Sequence, residues 1–69
     1  MQTTYTVSGM TCGHCAMSVT EEVAEVTGVK DVNVNHETGA MIVESDERIP
    51  FDSIINAVAE AGNYTVVEA

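Results

Sequence analysis

Residues 3–28 read TTYTVSGMTCGHCAMSVTEEVAEVTG, and a change of periodicity inside that stretch decides the fold. From Thr3 to Ser8 the chain is β-branched and aromatic, with Tyr5 and Val7 alternating against threonines. A period of two predicts a half-buried strand, which Gly9 ends. From Cys12 the spacing changes to Cys12, Ala16, Val19, Val23 and Val26, intervals of three and four that mark the apolar stripe of an amphipathic helix. Gly28 supplies a C-terminal stop. Ser18, Glu21, Glu22 and Glu25 fall on the opposite side of that helix, so its exposed face is acidic.

Further along the chain, Val29–Asn35 returns to period two, with Val32 and Val34 on one side. His36-Glu37-Thr38-Gly39 reads as a turn, and Ala40–Ser45 as the returning strand of a hairpin with Met41 and Val43 inward. After a polar connector, Pro50 opens a second helix whose stripe is Phe51, Ile54, Ile55, Val58 and Ala61, and Gly62 ends it. Asn63–Glu68 reads as a last short strand. The order is βαββαβ, and two helices must bury their stripes on one face of a sheet. This predicts an α+β, ferredoxin-like fold with a four-stranded antiparallel sheet and both helices on one face. No linker or low-complexity tract interrupts residues 1–69, which are expected to form a single domain.

The charge excludes whole classes of partner. Two basic residues, Lys30 and Arg48, face eleven acidic ones across 69 residues, for a net charge of −9. Binding to nucleic acid depends on Lys and Arg neutralising phosphates, so nucleic acid and anionic membrane surfaces are not expected partners. A basic protein surface is the natural complement. No apolar run approaches the roughly 20 residues that span a bilayer, so no membrane insertion is expected. The first ten residues, MQTTYTVSGM, contain neither a basic nor an apolar leader region. The expected location is cytoplasmic, where thiols stay reduced and the two cysteines need a purpose other than a disulfide staple.

That purpose lies in Gly9-Met10-Thr11-Cys12-Gly13-His14-Cys15. Cysteines three apart, one in a loop and one in the first turn of a helix, can aim both sulfurs at a common point. The positive end of the helix dipole and its free N–H groups favour thiolate there. Structural zinc wants four ligands and an iron–sulfur cluster wants more cysteines than the chain has. A soft ion satisfied by two thiolates is left, and Cu(I) is the commonest in biology. Thiol–disulfide exchange is the alternative, because Cys-Gly-His-Cys is also the active-site tetrapeptide of protein disulfide isomerases. The aromatic residue before the first cysteine and the facing proline of those enzymes have no counterpart here, since Thr11 precedes Cys12 and the one proline is Pro50.

A strand, then GMTCGHC, then an amphipathic helix resembles the heavy-metal-associated domain, whose signature is GMxCxxC. Gly28-Val29, Thr38-Gly39 and the Ala-Val-x-x-Ala-Gly end of the second helix extend the likeness across the chain. It is most similar to the small, free-standing bacterial copper chaperones of that family. The resemblance implies Cu(I) held by Cys12 and Cys15 and passed to the amino-terminal metal-binding domain of a copper-transporting P-type ATPase, with no enzymatic activity. The alternative it admits is a metal-binding domain excised from such an ATPase. Zinc-selective members typically carry an acidic residue where this chain has Thr11, which favours copper. One position departs from the pattern. The family has Gly-Tyr after the second helix, whereas this chain reads Gly62-Asn63-Tyr64. One residue of slip in a strand turns a side chain to the other face, so Tyr64 stays beside the metal only if the loop absorbs the extra residue.

The remaining residues near the pair divide by chemistry. Met10 carries a soft sulfur, but its place after the strand assigns it to packing beneath the loop. His14, between the cysteines, is expected to tune the thiols or the access to the ion rather than to ligate. Thr11 is expected to cap the first helix with its hydroxyl, and His36 to be a turn residue without a metal role. Glu21, Glu22 and Glu25, with Ser18, form the expected docking stripe. The chain is expected to be a monomer that copper can bridge into a dimer.

Overall fold

The computed structural model describes residues 1–69 and orders them as β1 (Gln2–Ser8), α1 (Gly13–Ala24), β2 (Val29–Val34), β3 (Ala40–Ser45), α2 (Phe51–Ala61) and β4 (Thr65–Glu68). The strands form one antiparallel sheet in the order β2-β3-β1-β4. β3 lies between β1 and β2, and the pairs Tyr5–Met41 and Val32–Val43 fix the register. Alternation then decides what is inside. Tyr5, Val7, Val32, Met41, Val43 and Val66 point to one face and join Val19 and Val23 of α1 and Ile54, Ala57 and Val58 of α2 in a single core. The expected ferredoxin-like arrangement is therefore the one observed, with both helices on one side of the sheet.

Two boundaries and one buried position differ from the sequence expectation, each for a local reason. Helix α1 ends at Ala24 rather than running to Gly28. Beyond it the chain tightens into i→i−3 bonds, Glu25 N–H to Glu22 O and Val26 N–H to Val23 O, the usual way a helix end satisfies its last carbonyls. Strand β4 begins at Thr65, because residues 62–64 form a separate turn. Ile55, expected inward, is exposed, and Ala57 takes the buried place beside Ile54 and Val58. Three and four residues from Ile54, positions 57 and 58 share its face, whereas position 55 lies about 100° round the helix.

Antiparallel topology puts three connections at one end of the sheet: the β1–α1 loop carrying the cysteines, the β2–β3 turn with His36, and the α2–β4 turn with Tyr64. The Val7 N–H donates to Gly39 O at 2.7 Å, tying the hairpin turn to the strand that leads into the cysteine loop. At the opposite end both basic side chains are consumed in ion pairs, Lys30 with Asp46 and Arg48 with Glu68. The end bearing the cysteines has no Lys or Arg of its own.

One core residue is costly. Tyr5 is 0% exposed and stacks on Phe51 with ring centroids 6.0 Å apart, yet its hydroxyl has no hydrogen-bond partner. A buried unpaired polar group costs about 1–3 kcal/mol. Tyr5→Phe keeps the ring and removes the unpaired oxygen, so thermal denaturation is expected to show a midpoint raised by several degrees, about 4–8 °C per kcal/mol at this size. A lowered midpoint would show that the hydroxyl is satisfied after all.

Candidate metal centre

The site is built where β1 hands over to α1. Cys12 is the N-cap residue of α1, in extended conformation with φ −159° and ψ 175°, and no side chain caps the helix. Thr11 therefore does not play the capping part expected of it. The cap position falls one residue later, and the Thr11 hydroxyl lies instead 3.8 Å from Cys15 Sγ. Without a cap, the positive end of α1 faces the two sulfurs. Cys15 N–H and Ala16 N–H both reach back to Cys12 O, at 3.1 and 3.4 Å, and wind the first turn so that the two sulfurs stand 3.9 Å apart.

That separation has a chemical meaning. Both cysteines are free thiols. A disulfide needs about 2.05 Å between its sulfurs, whereas two metal–thiolate bonds of about 2.3 Å each span 3.9 Å at an open angle. The spacing leaves room for an ion between the two sulfurs. No cluster of three or more His, Cys, Asp or Glu side chains is available to complete a higher coordination number.

The two sulfurs are not equivalent. Cys12 is exposed, while Cys15 is half-buried. The nearby Tyr64 hydroxyl is the strongest influence lowering the pKa of Cys15, followed by the Thr11 N–H, the Thr11 hydroxyl and the Cys12 N–H; together they pull it from 9.0 to about 6 against a small opposing desolvation. Each donor stabilises the thiolate over the thiol. The same contact raises the pKa of Tyr64, whose proton is held by the neighbouring thiolate.

Tyr64 thus stands beside Cys15 despite the extra residue before it. The Tyr64 N–H donates to Gly62 O at 2.9 Å, and this tight turn over Asn63 absorbs the insertion before β4 begins. Met10 is partly buried and packs against the core below the loop, in keeping with its expected packing role. His14 is exposed in the first turn of α1, with no hydrogen bond to either sulfur. His36 is half-buried in the hairpin turn.

Of the acidic stripe, Glu21 and Glu25 are exposed and Glu22 is half-buried. Glu22 and Glu25 also border a groove of about 380 Å³ between the helices, where Glu60 of α2 joins them. Glu60 was not singled out in the sequence because the groove exists only once α1 and α2 lie side by side. Met17, 57% exposed, stands four residues before Glu21 on the same face and leaves an apolar contact next to the cysteines.

Comparison with known proteins agrees with this geometry. The heavy-metal-associated domain pattern matches residues 4–64. The chain is 37% identical over 62 residues to the copper chaperone CopZ of Bacillus subtilis, an alignment covering 88% of this chain and 90% of that one. It is 38% identical over 69 residues to a "probable copper-exporting P-type ATPase" of Archaeoglobus fulgidus, covering 99% of this chain but only 8% of the ATPase. Among solved structures, a CopZ metallochaperone superposes with a TM-score of 0.86 at 31% identity, covering 97% of this chain and all of the other. A strand–claw–helix unit on a four-stranded sheet, matched along nearly its whole length, places this chain in the heavy-metal-associated domain family.

Proposed function

We propose that this protein is a cytoplasmic copper chaperone, a single domain that binds Cu(I) between Cys12 and Cys15 and passes it to the metal-binding domain of a copper-transporting P-type ATPase. The observation that carries the reading is the claw itself, two reduced sulfurs 3.9 Å apart at an uncapped helix start. Soft thiolates select a soft ion. Likeness to CopZ chaperones over nearly the whole chain supports copper, and likeness to a segment of an ATPase supports a partner built on the same plan.

The asymmetry of the sulfurs gives the transfer a direction. Two-coordinate Cu(I) leaves its flanks open, so a partner thiolate can enter before a resident one leaves. Cys15, half-buried and stabilised as thiolate by Tyr64, Thr11 and Cys12, keeps the ion while exposed Cys12 yields its place. Three-coordinate intermediates carry the ion across, with no free copper and no acid or base to catalyse the step. A thiol near pKa 6 would also serve disulfide exchange, and reduction of insulin by the metal-free protein at rates typical of oxidoreductases would favour that function instead.

Docking falls to the acidic face. Glu21, Glu22 and Glu25 sit at the carboxyl end of α1, which has no basic residue in its last turn. Negative charge at that end opposes the helix dipole by about 0.3–1 kcal/mol per group. A stripe kept against its own helix is explained by a basic partner surface. The reading is tested by mixing the Cu(I)-loaded chain with a metal-free ATPase domain and following transfer at increasing salt. Replacing Glu21, Glu22 and Glu25 by Gln is expected to slow transfer about 10-fold or more at low salt, the lower range of electrostatic steering, and to flatten its salt dependence. The same variant should melt at a higher temperature than the parent. Unchanged transfer with a raised melting point would reduce the stripe to a solvated surface.

A further inference from the structure

The backbone around Tyr64 is shaped for its ring. Gly9 ends β1 with φ +102°, and a Cβ built there would stand 3.3 Å from Tyr64 Cδ1 and 3.4 Å from Asn63 O. On the other side, a Cβ on Gly62 would stand 2.9 Å from Cε2 and 3.2 Å from Cζ of the same ring. The first distance is tight, and the second is one that real side chains do not reach. Opposite edges of one ring therefore lie against two bare backbones, one from the strand before the cysteine loop and one from the end of α2. The Tyr64 N–H to Gly62 O bond closes the turn between them.

We propose that Gly9 and Gly62 are positioning residues, a two-sided socket whose missing side chains admit the Tyr64 ring and hold its hydroxyl against Cys15, and that this socket sets how long the bound ion is retained. The proposal rests on the reading of Cys12 and Cys15 as Cu(I) ligands. Its physical content is that Gly62 acts through the ring rather than on the metal. A methyl group at position 62 needs the space the ring occupies, so the ring must move away from its place and carry the hydroxyl with it. Cys15 then loses the phenol beside it and keeps only Thr11 and Cys12 as neighbours, so the ion is held less firmly at the inner sulfur. The inserted Asn63 makes the socket necessary in this chain, because Tyr64 enters from a tight turn and not directly from the strand.

The test is a double-mutant cycle with Gly62→Ala, Tyr64→Ala and the combination. Release of Cu(I) is followed in a stopped-flow instrument with excess chromogenic Cu(I) chelator. NMR cross-relaxation between the Tyr64 ring protons and the Cys15 β protons is read separately in the metal-free parent and in Gly62→Ala. Gly62→Ala is expected to abolish that cross-relaxation and to speed release about threefold or more, the lower end of couplings between contacting residues. In the Tyr64→Ala background the same substitution should leave the release rate unchanged. An equal acceleration in both backgrounds, or a parent-like rate and ring contact, overturns the socket. Should Gly62→Ala fail to fold, its folding in the Tyr64→Ala background would establish the clash with the ring, and failure there too would assign Gly62 to the backbone alone and overturn the proposal. Gly9→Ala, whose Cβ meets the ring less closely, repeats the cycle from the other wall. A parent that binds no Cu(I) would defeat the chaperone reading, an outcome distinct from a parent that binds it with a release rate indifferent to position 62.

Discussion

Serine at position 12 or 15 is expected to weaken Cu(I) binding by about 10²–10⁴-fold, the factor by which a tethered second ligand exceeds a free one. The argument is one of effective concentration. The helix start holds the second sulfur 3.9 Å from the first, so the ion that meets one thiolate meets the other without a further search. A hydroxyl is a hard donor that stays protonated and does not replace a thiolate for a soft ion. The metal-free fold should be indifferent to Cys12→Ser, since Cys12 is exposed and lies outside the core cluster, whereas Cys15→Ser still folds but loses the pH-dependent contribution of the Cys15 thiolate. Competition against a Cu(I) chelator with each variant reads the effect, and thermal denaturation of the metal-free variants separates it from misfolding. The two substitutions should also differ in kind. Cys12→Ser leaves the half-buried sulfur whose thiolate Tyr64 and Thr11 stabilise, whereas Cys15→Ser leaves a lone exposed one. Residual binding is expected to be the weaker in Cys15→Ser. Sub-micromolar affinity in either variant would remove the claw as the binding site.

How much of this was legible beforehand follows the range over which each interaction acts. The element order and the core faces of β1 and β3 follow from periods of two, and Tyr5, Val7, Met41 and Val43 are all buried as that pattern requires. The spacing of Cys12 and Cys15 along one helix turn is equally local, so the claw could be read directly. What escaped depends on chain segments far apart in sequence. Thr11 looks like a helix cap because a hydroxyl before a helix usually is one. Only the extended conformation of Cys12 moves the cap position on and frees that hydroxyl for Cys15. Tyr64 could be placed only once the turn over Asn63 was seen, and the part taken by Gly9 and Gly62 required a strand end and a helix end to meet across one ring. Each glycine reads in isolation as a stop signal. The nearest sequence hint is a pairing, a glycine before the cysteine loop and another just before the tyrosine, which means nothing until the sheet closes.

The electrostatics of Cys15 yield the remaining large effect. With its pKa pulled down to about 6, Cys15 is mostly thiolate at pH 7, where a thiol of ordinary pKa near 8.5 is only a few per cent ionised. In the Cys12→Ser variant, which leaves Cys15 as the only thiol, the rate of alkylation by iodoacetamide should rise with pH about a midpoint near 6. At pH 7 the reacting fraction then exceeds that of an ordinary cysteine by about an order of magnitude or more, partly offset by the lower nucleophilicity of a weakly basic thiolate. The midpoint is free of that offset. Tyr64→Phe removes the strongest of the stabilising donors and should move the midpoint upward, while the Thr11 and Cys12 donors keep it below 9.0. Folding is linked to the same proton. A thiol whose pKa is depressed in the folded state stabilises that state fully above its unfolded pKa, and the contribution disappears as pH falls through the folded value. The metal-free parent should therefore lose stability between about pH 9 and pH 6 relative to Cys15→Ser, which has no thiol to titrate at that position. Parallel pH profiles for the two, or a midpoint unmoved by Tyr64→Phe, would mean that the phenol does not hold the thiolate, and that the fixed and free sulfurs of the claw are alike.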